Sequence, residues 1–244
     1  MIAILAAGLA AGTINTVVGS GTLISFPVLL AFGYSPLTAN VSNTIGLAPG
    51  ALSGAYGYRE ELKGQRRRII VYGIAALLGG AVGAILLLSL PSDVFDSIVP
   101  AFVILAVIRL VVQPTLAAKL ADRPRGRGHA IVGRVACFLT GIYGGYFGAA
   151  QGVMLLAVLG ITDPDDLQRT NALKNLLAGS VNGLAGVIFA FGASIAWTPA
   201  ILLAVGSIAG GQVGAKIGRS LSPQFLRGLI VVVGTIAAVH LIVD

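Results

Sequence analysis

The sequence predicts an all-α polytopic integral membrane protein made of two inverted repeats. Each repeat is a re-entrant helical hairpin followed by three transmembrane helices. Three observations predict it. First, the 244 residues are 56% hydrophobic and only 10% charged, with mean hydropathy +0.93, whereas soluble domains carry roughly 25% charged residues. Second, apolar runs at 69–90, 94–112, 172–191 and 198–215 each approach the ~20 residues that cross a ~30 Å hydrocarbon core. Third, a glycine-rich turn and a polar helical face occur in both halves. No ten-residue alternating pattern suggests an outer-membrane barrel.

Positive charge orients the elements. Arg59, Lys63, Arg66, Arg67 and Arg68 form one cluster, and Arg109, Lys119, Arg123, Arg125, Arg127 and Arg134 a second. Lys216, Arg219 and Arg227 flank "SLSPQFL". The positive-inside rule makes loops 58–68, 109–134 and 216–227 cytoplasmic in a multi-pass cell (plasma) membrane protein. The turns at 33–36, 91–93 and 192–197 carry no Lys or Arg and face outward. The net charge of +7 therefore speaks for membrane orientation, and no nucleic acid partner is expected.

The first repeat, 1–113, opens with a hairpin at 1–32. Its start, "MIAILAAGLAAG", lacks the basic region of a signal peptide and is kept as part of the mature chain. Crossings follow at 36–57, 69–90 and 94–113. A basic cytoplasmic linker spans 114–129. The second repeat, 130–244, has a hairpin at 130–160 and crossings at 166–191, 197–216 and 223–243. Segments 1–32 and 130–160 must begin and end on one side, or Lys216, Arg219 and Arg227 fall outside. The rival topology makes each a full crossing, for eight spans. An odd number of crossings per half inverts the halves, a common transporter architecture.

Within the first hairpin, "GSGT" interrupts an apolar run. Gly19 and Gly21 permit a sharp backbone turn, and irregular backbone at membrane depth survives only where protein or a water-filled cavity surrounds it. A helix starting near Thr22 aims free N–H groups at the membrane interior, with hydroxyls from Ser20 and Thr22, which suits an anion. "GIYGGYFGAAQG" at 141–152 repeats the device, with Gly141 matching Gly12, Gly148 matching Gly19, and Gln151 in the second tip. Asn40, Asn43 and Thr44 align with Asn171, Lys174 and Asn175, all at i, i+3, i+4 spacing on one helical face.

The expected substrate-binding set is thus Gly19, Ser20, Gly21, Thr22, Asn40, Asn43, Thr44, Gln151, Asn171, Lys174 and Asn175. Lys174 is the most informative: a charge inside an apolar helix costs at least ~2.5–3.5 kcal/mol. It either snorkels to the cytoplasmic interface or neutralises a transported anion, and its alignment with Asn43 favours the second. The asparagines and Thr44 equally suit interhelical hydrogen bonding. Asn15, Thr16 and Asn182 are assigned to packing or support, and Tyr143 and Tyr146 to core packing. Gly210, Gly214 and Gly218 form a small-residue face that seats a helix of the same chain in preference to a second protomer; the latter would make a homodimer.

All nine acidic residues (Glu60, Glu61, Asp93, Asp96, Asp122, Asp163, Asp165, Asp166 and Asp244) lie in loops or at ends. A cation has no mid-membrane counter-charge, and His129 and His240 form no proton relay. No metal or cofactor is expected. Cys137 alone makes no intramolecular disulfide and suits a buried apolar position.

At "GLAAGTINTVVGSGTLISFPVLLAFGYSPLTANVSNTIG" the chain resembles the TauE/SafE family of sulfite exporter-like permeases. The shared elements are Gly19-Ser20-Gly21, Phe26-Pro27-Val28-Leu29, Gly33, and Ala39 to Thr44. The second half departs at "YFGAAQG", with no following proline. The resemblance covers most of the chain and implies export of sulfite, sulfonates or related organosulfur anions by alternating access. An anion channel with the same site is the second reading. An intramembrane serine hydrolase is the third, and it needs a base beside Ser20, for which Lys174 is the sole candidate; the chain is not expected to be an enzyme.

Overall fold

The computed structural model describes residues 1–91 and 129–218, together with 94, 95, 97–99, 101, 103, 104 and 108. Of the sequence-predicted elements, the crossing 223–243 and the linker 114–129 up to residue 128 lie outside the described residues. So do most positions of 94–113, whose described residues are helical. The described residues contain no strand.

The helices are α1 (Ile2–Val17), α2 (Thr22–Ala31), α3 (Pro36–Gly57), α4 (Arg59–Leu62), α5 (Arg66–Ser89), α6 (His129–Tyr146), α7 (Gln151–Thr162), α8 (Leu167–Gly192) and α9 (Trp197–Ile217). Local chemistry marks their ends. Ser35 Oγ accepts the Thr38 N–H at 3.4 Å, and Pro36 takes the first position of α3, where its missing N–H costs nothing. Asp166 caps α8 by accepting from the Gln168 and Arg169 N–H groups at 2.9 and 3.3 Å. Pro27 and Pro49 lie inside α2 and α3, each deleting one helical hydrogen bond.

Helices α5, α8 and α9 are long and apolar enough to cross a membrane. At 22 residues α3 matches them in length, but buried Asn40, Ser42, Asn43 and Thr44 lower its hydropathy. Outward-facing Ile70, Ile74 and Leu78 on α5 are exposed, as befits a surface solvated by lipid.

The helices pair in a matched pattern. α1 packs on α9 as α6 packs on α5; α3 packs on α9 as α8 packs on α5; and α3 and α8 pack on each other. Glycines allow backbone-to-backbone approach in these pairs. Gly206 and Gly210 of α9 sit against the Leu5 and Leu9 carbonyls of α1, while Gly79 and Gly83 of α5 sit against the Phe138 and Ile142 carbonyls of α6. A Cβ at any of the four would collide with backbone. The small-residue face of α9 is thus occupied by α1 of the same chain. Near the hairpins, Phe26 of α2 meets Phe147 edge-to-face at 5.4 Å, and Phe95 packs on both Tyr146 and Phe147.

Candidate functional site

Two helix breaks form the centre of the molecule. α1 stops at Gly19 (φ +93°) and α6 at Gly148 (φ +77°), a left-handed conformation in which a side chain is strained. In both, the glycine N–H reaches back five residues, to Ile14 O at 3.2 Å and to Tyr143 O at 3.0 Å, so it satisfies a carbonyl that the ending helix leaves without its usual partner. Beyond the first break α2 folds back on α1, bringing Gly21 against the Ala11 carbonyl. Tyr143 Oη donates to Ala149 O at 2.7 Å, so it braces the second tip as well as packing.

The two tips touch. The Gly152 N–H donates to Gly19 O at 3.1 Å, and a Cβ on Gly19 would lie 2.5 Å from the Gly152 backbone. Only glycine at both positions permits this contact. The sequence flagged Gly19 but not Gly152, whose signal was its place directly after Gln151.

Lys174 spans both tips. Its side chain is fully buried and does not snorkel. The stem passes Gly152, and Nζ donates to Asn15 O at 2.8 Å and Thr16 O at 3.0 Å. Asn175 Nδ2 adds a third bond, to Thr16 O at 3.0 Å. The last turn of α1 has carbonyls with no helical partner and a partial negative charge; α8 supplies the donors. Asn15 and Thr16, assigned to packing or support from sequence, enter the site through their backbone oxygens, which no side-chain pattern reveals. Asn40 does the same for the other half, donating to Tyr146 O, at the end of α6, at 2.9 Å.

Asn43, the sequence counterpart of Lys174, stays within its own half. Its Oδ1 accepts from Ser25 Oγ, and its Nδ2 donates to Thr22 Oγ1 at 3.3 Å. Ser25 was missed, though a hydroxyl three residues after Thr22 in an apolar helix marks the same face. Thr44 and Asn171 are buried on α3 and α8. The structure does not link Ser20 directly to Lys174.

Among the described residues, Ser20 Oγ, Asn40 Oδ1, Gln151 Nε2, Asn171 Oδ1 and Asn175 Oδ1 are buried without a hydrogen-bond partner. Five such atoms on the predicted set are unusual, since native interiors leave few polar groups unsatisfied. They suit a site that receives polar atoms from a ligand or water. No base hydrogen-bonds Ser20 Oγ among these residues, and Lys174 donates elsewhere.

At one end of the molecule a charged cluster ties the second hairpin to α5. Arg68 donates through Nε to Asp163 Oδ2 at 2.9 Å, through Nη1 to Asp165 Oδ2 at 2.8 Å, and through Nη2 to Asp163 O at 2.7 Å. Arg169 Nε reaches Asp165 at 3.0 Å. Partial desolvation pushes the Asp165 carboxyl up, but the Arg169 hydrogen bond, the Asp166 N–H and the charges of Arg169 and Arg68 outweigh it and hold it below its usual value.

Residues 4–241 match the family model described as "Sulfite exporter TauE/SafE". The probable membrane transporter protein YfcA of Escherichia coli K12 is 26% identical over 238 residues, covering 96% of this chain and 86% of that protein. A probable membrane transporter protein of Haemophilus influenzae is 27% identical over 239 residues, covering 97% and 92%. Probable membrane transporter protein ORF9 of a Sinorhizobium species is 26% identical over 235 residues, covering 96% and 89%. No solved structure matches the chain.

Proposed function

The chain belongs to the sulfite exporter TauE/SafE family, and from that premise we propose that it exports a small sulfur-containing oxyanion: sulfite, a sulfonate or a related organosulfur anion. The family is one of membrane transporters, as are the relatives by name, so a small-molecule substrate and a membrane setting come with it. The oxyanion sits at the two tips, beside their contact. Ser20, Thr22 and Gln151 present donors at the N-terminal ends of α2 and α7, where the helix dipole favours negative charge.

One observation carries the reading: Lys174 is wholly buried at the meeting of the tips and its Nζ contacts two carbonyls and no carboxylate. An ammonium has three donors, and a buried cation without an anion is costly. A bound oxyanion takes the third donor and offsets the charge. Asn40, Asn43, Thr44, Asn171 and Asn175 line the polar face beside it.

The mechanism is alternating access by two inverted repeats, each a re-entrant hairpin with three crossings, rocking about the tip contact. The exchanged packing of α1 on α9 and α6 on α5 supports a two-fold relation between halves. The orientation in the plasma membrane follows the basic loops, which face the cytoplasm.

The test is sulfite flux in proteoliposomes, with sulfate, thiosulfate and taurine as competitors, for the parent chain and Lys174→Met. Saturable flux that the substitution lowers at least roughly tenfold at matched protein content is expected. Normal flux in Lys174→Met would sink the assigned site.

A further inference from the structure

Outside the tips, one cleft combines unpaired cations with an apolar trough. A cavity of about 200 Å³ lies between the first turns of α5 and α6 and the end of α7, walled by Arg67, Arg68, Tyr72, Arg134, Thr162 and Asp163. A second hollow, of about 400 Å³, shares Arg67 and Val71 with it and continues over Ile70.

We propose that this cleft binds an anionic membrane lipid, its phosphate held by Arg67 and Arg134 and an acyl chain lying along Ile70 and Val71.

The charge argument starts from what is already neutralised. Arg68 is committed to Asp163 and Asp165, which accounts for the acidic side chains at this wall. Arg67 and Arg134, on different helices, face the same cavity, and neither has an acidic partner among the described residues. Arg66, Arg67 and Arg68 also occupy the first turn of α5, where the positive end of the helix disfavours cations. An anion in the cleft relieves both repulsions.

The apolar half selects the source of that anion. Ile70 heads the exposed row Ile70, Ile74, Leu78 on α5, and Val135 and Leu139 are exposed on α6, so the hollow opens onto the lipid-facing surface. An inorganic oxyanion fills the arginine cavity alone, whereas a phospholipid fills both hollows. Basic pockets between transmembrane helices are a recurrent form of headgroup site.

Thermal unfolding of the full chain in neutral detergent tests this, with added phosphatidylglycerol, phosphatidylcholine or inorganic phosphate. Phosphatidylglycerol should raise Tm above the value in phosphatidylcholine, and inorganic phosphate should not. Arg67→Gln/Arg134→Gln should lose that rise while unfolding cooperatively at the parent's Tm in phosphatidylcholine. Arg59→Gln/Lys63→Gln, which removes two exposed charges elsewhere, should keep it. An undiminished rise in the Arg67/Arg134 variant, an equal loss in the control, or a full rise with inorganic phosphate alone would overturn the proposal.

Discussion

The two hairpins share a backbone plan and differ in how they are held. The first is polar at its tip, with Ser20 and with Thr22 and Ser25 bonded to Asn43 of its own half, and it ends in a neutral turn at Gly33 (φ +84°). The second has alanines at 149 and 150, one amide at Gln151, and a far end fixed by the Arg68–Asp163 pair. The first hairpin is tied near its tip to the helix that follows it by side-chain hydrogen bonds; the second is braced at its tip by its own Tyr143 and fixed at its base by charge. Lys174 belongs to the half with the bare tip yet serves the carbonyls of the polar one. The polar equipment of the site is therefore pooled across the halves.

The sharpest way to break this comparison is at the glycines. Gly19→Ala should abolish transport and destabilise the fold, because its Cβ strikes the Gly152 backbone. Gly148→Ala meets nothing nearer than the Gly144 carbonyl at 3.1 Å, so it should cost only the left-handed penalty of about 1–2 kcal/mol. Tm and sulfite flux for both check the contrast, and equal effects would show that the tip contact is not the constraint.

Next comes the central pair on α8 and α3. Lys174→Met removes two charge-assisted bonds at about 1.5–3 kcal/mol each, and flux should fall at least roughly tenfold, the equivalent of about 1.4 kcal/mol. Asn43→Leu loses neutral bonds within one half and should have the smaller effect. A larger loss at Asn43 would move the binding determinant to the first tip.

The charged base of the second hairpin responds to pH. Asp165 is held below its ordinary value of 3.8. A depressed carboxyl contributes stability above that value and loses it as pH falls through the lower folded-state value. Hydrogen exchange of α7 should therefore quicken below about pH 4, while α2, whose base is neutral, keeps its rates. Asp165→Asn should remove the pH response. Equal acid sensitivity in α2 would refute the distinction.

The smallest effect is expected at Tyr143. Tyr143→Phe removes the hydroxyl bond to Ala149 O, worth about 0.5–1.5 kcal/mol, and should lower Tm slightly with flux retained. A complete loss of flux would make that hydroxyl part of the transport machinery.

Much of this architecture is legible along the chain. Gly19 and Gly148 mark the breaks because φ of +93° and +77° strains other residues, whereas Gly21 has ordinary helical φ and is required by its approach to the Ala11 carbonyl. Ser35-Pro36 and Asp166 mark helix starts because of their capping chemistry. The polar residues at 40, 43 and 44 and at 171, 174 and 175 mark buried faces, since polar side chains in apolar helices need partners.

What the sequence by itself determined is this local layer: where helices begin, break and turn, which faces are polar, and that the chain is a membrane protein. Only the tertiary structure decided that Lys174 ends on the carbonyls of Asn15 and Thr16, that Gly19 meets Gly152, and that α1 is the helix seated on the small-residue face of α9. The reason is physical. Helix ends and side-chain types are set by interactions a few residues apart, which the sequence writes directly. The partner of a backbone carbonyl about 160 positions away depends on which helices pack together, and a carbonyl looks the same at every residue.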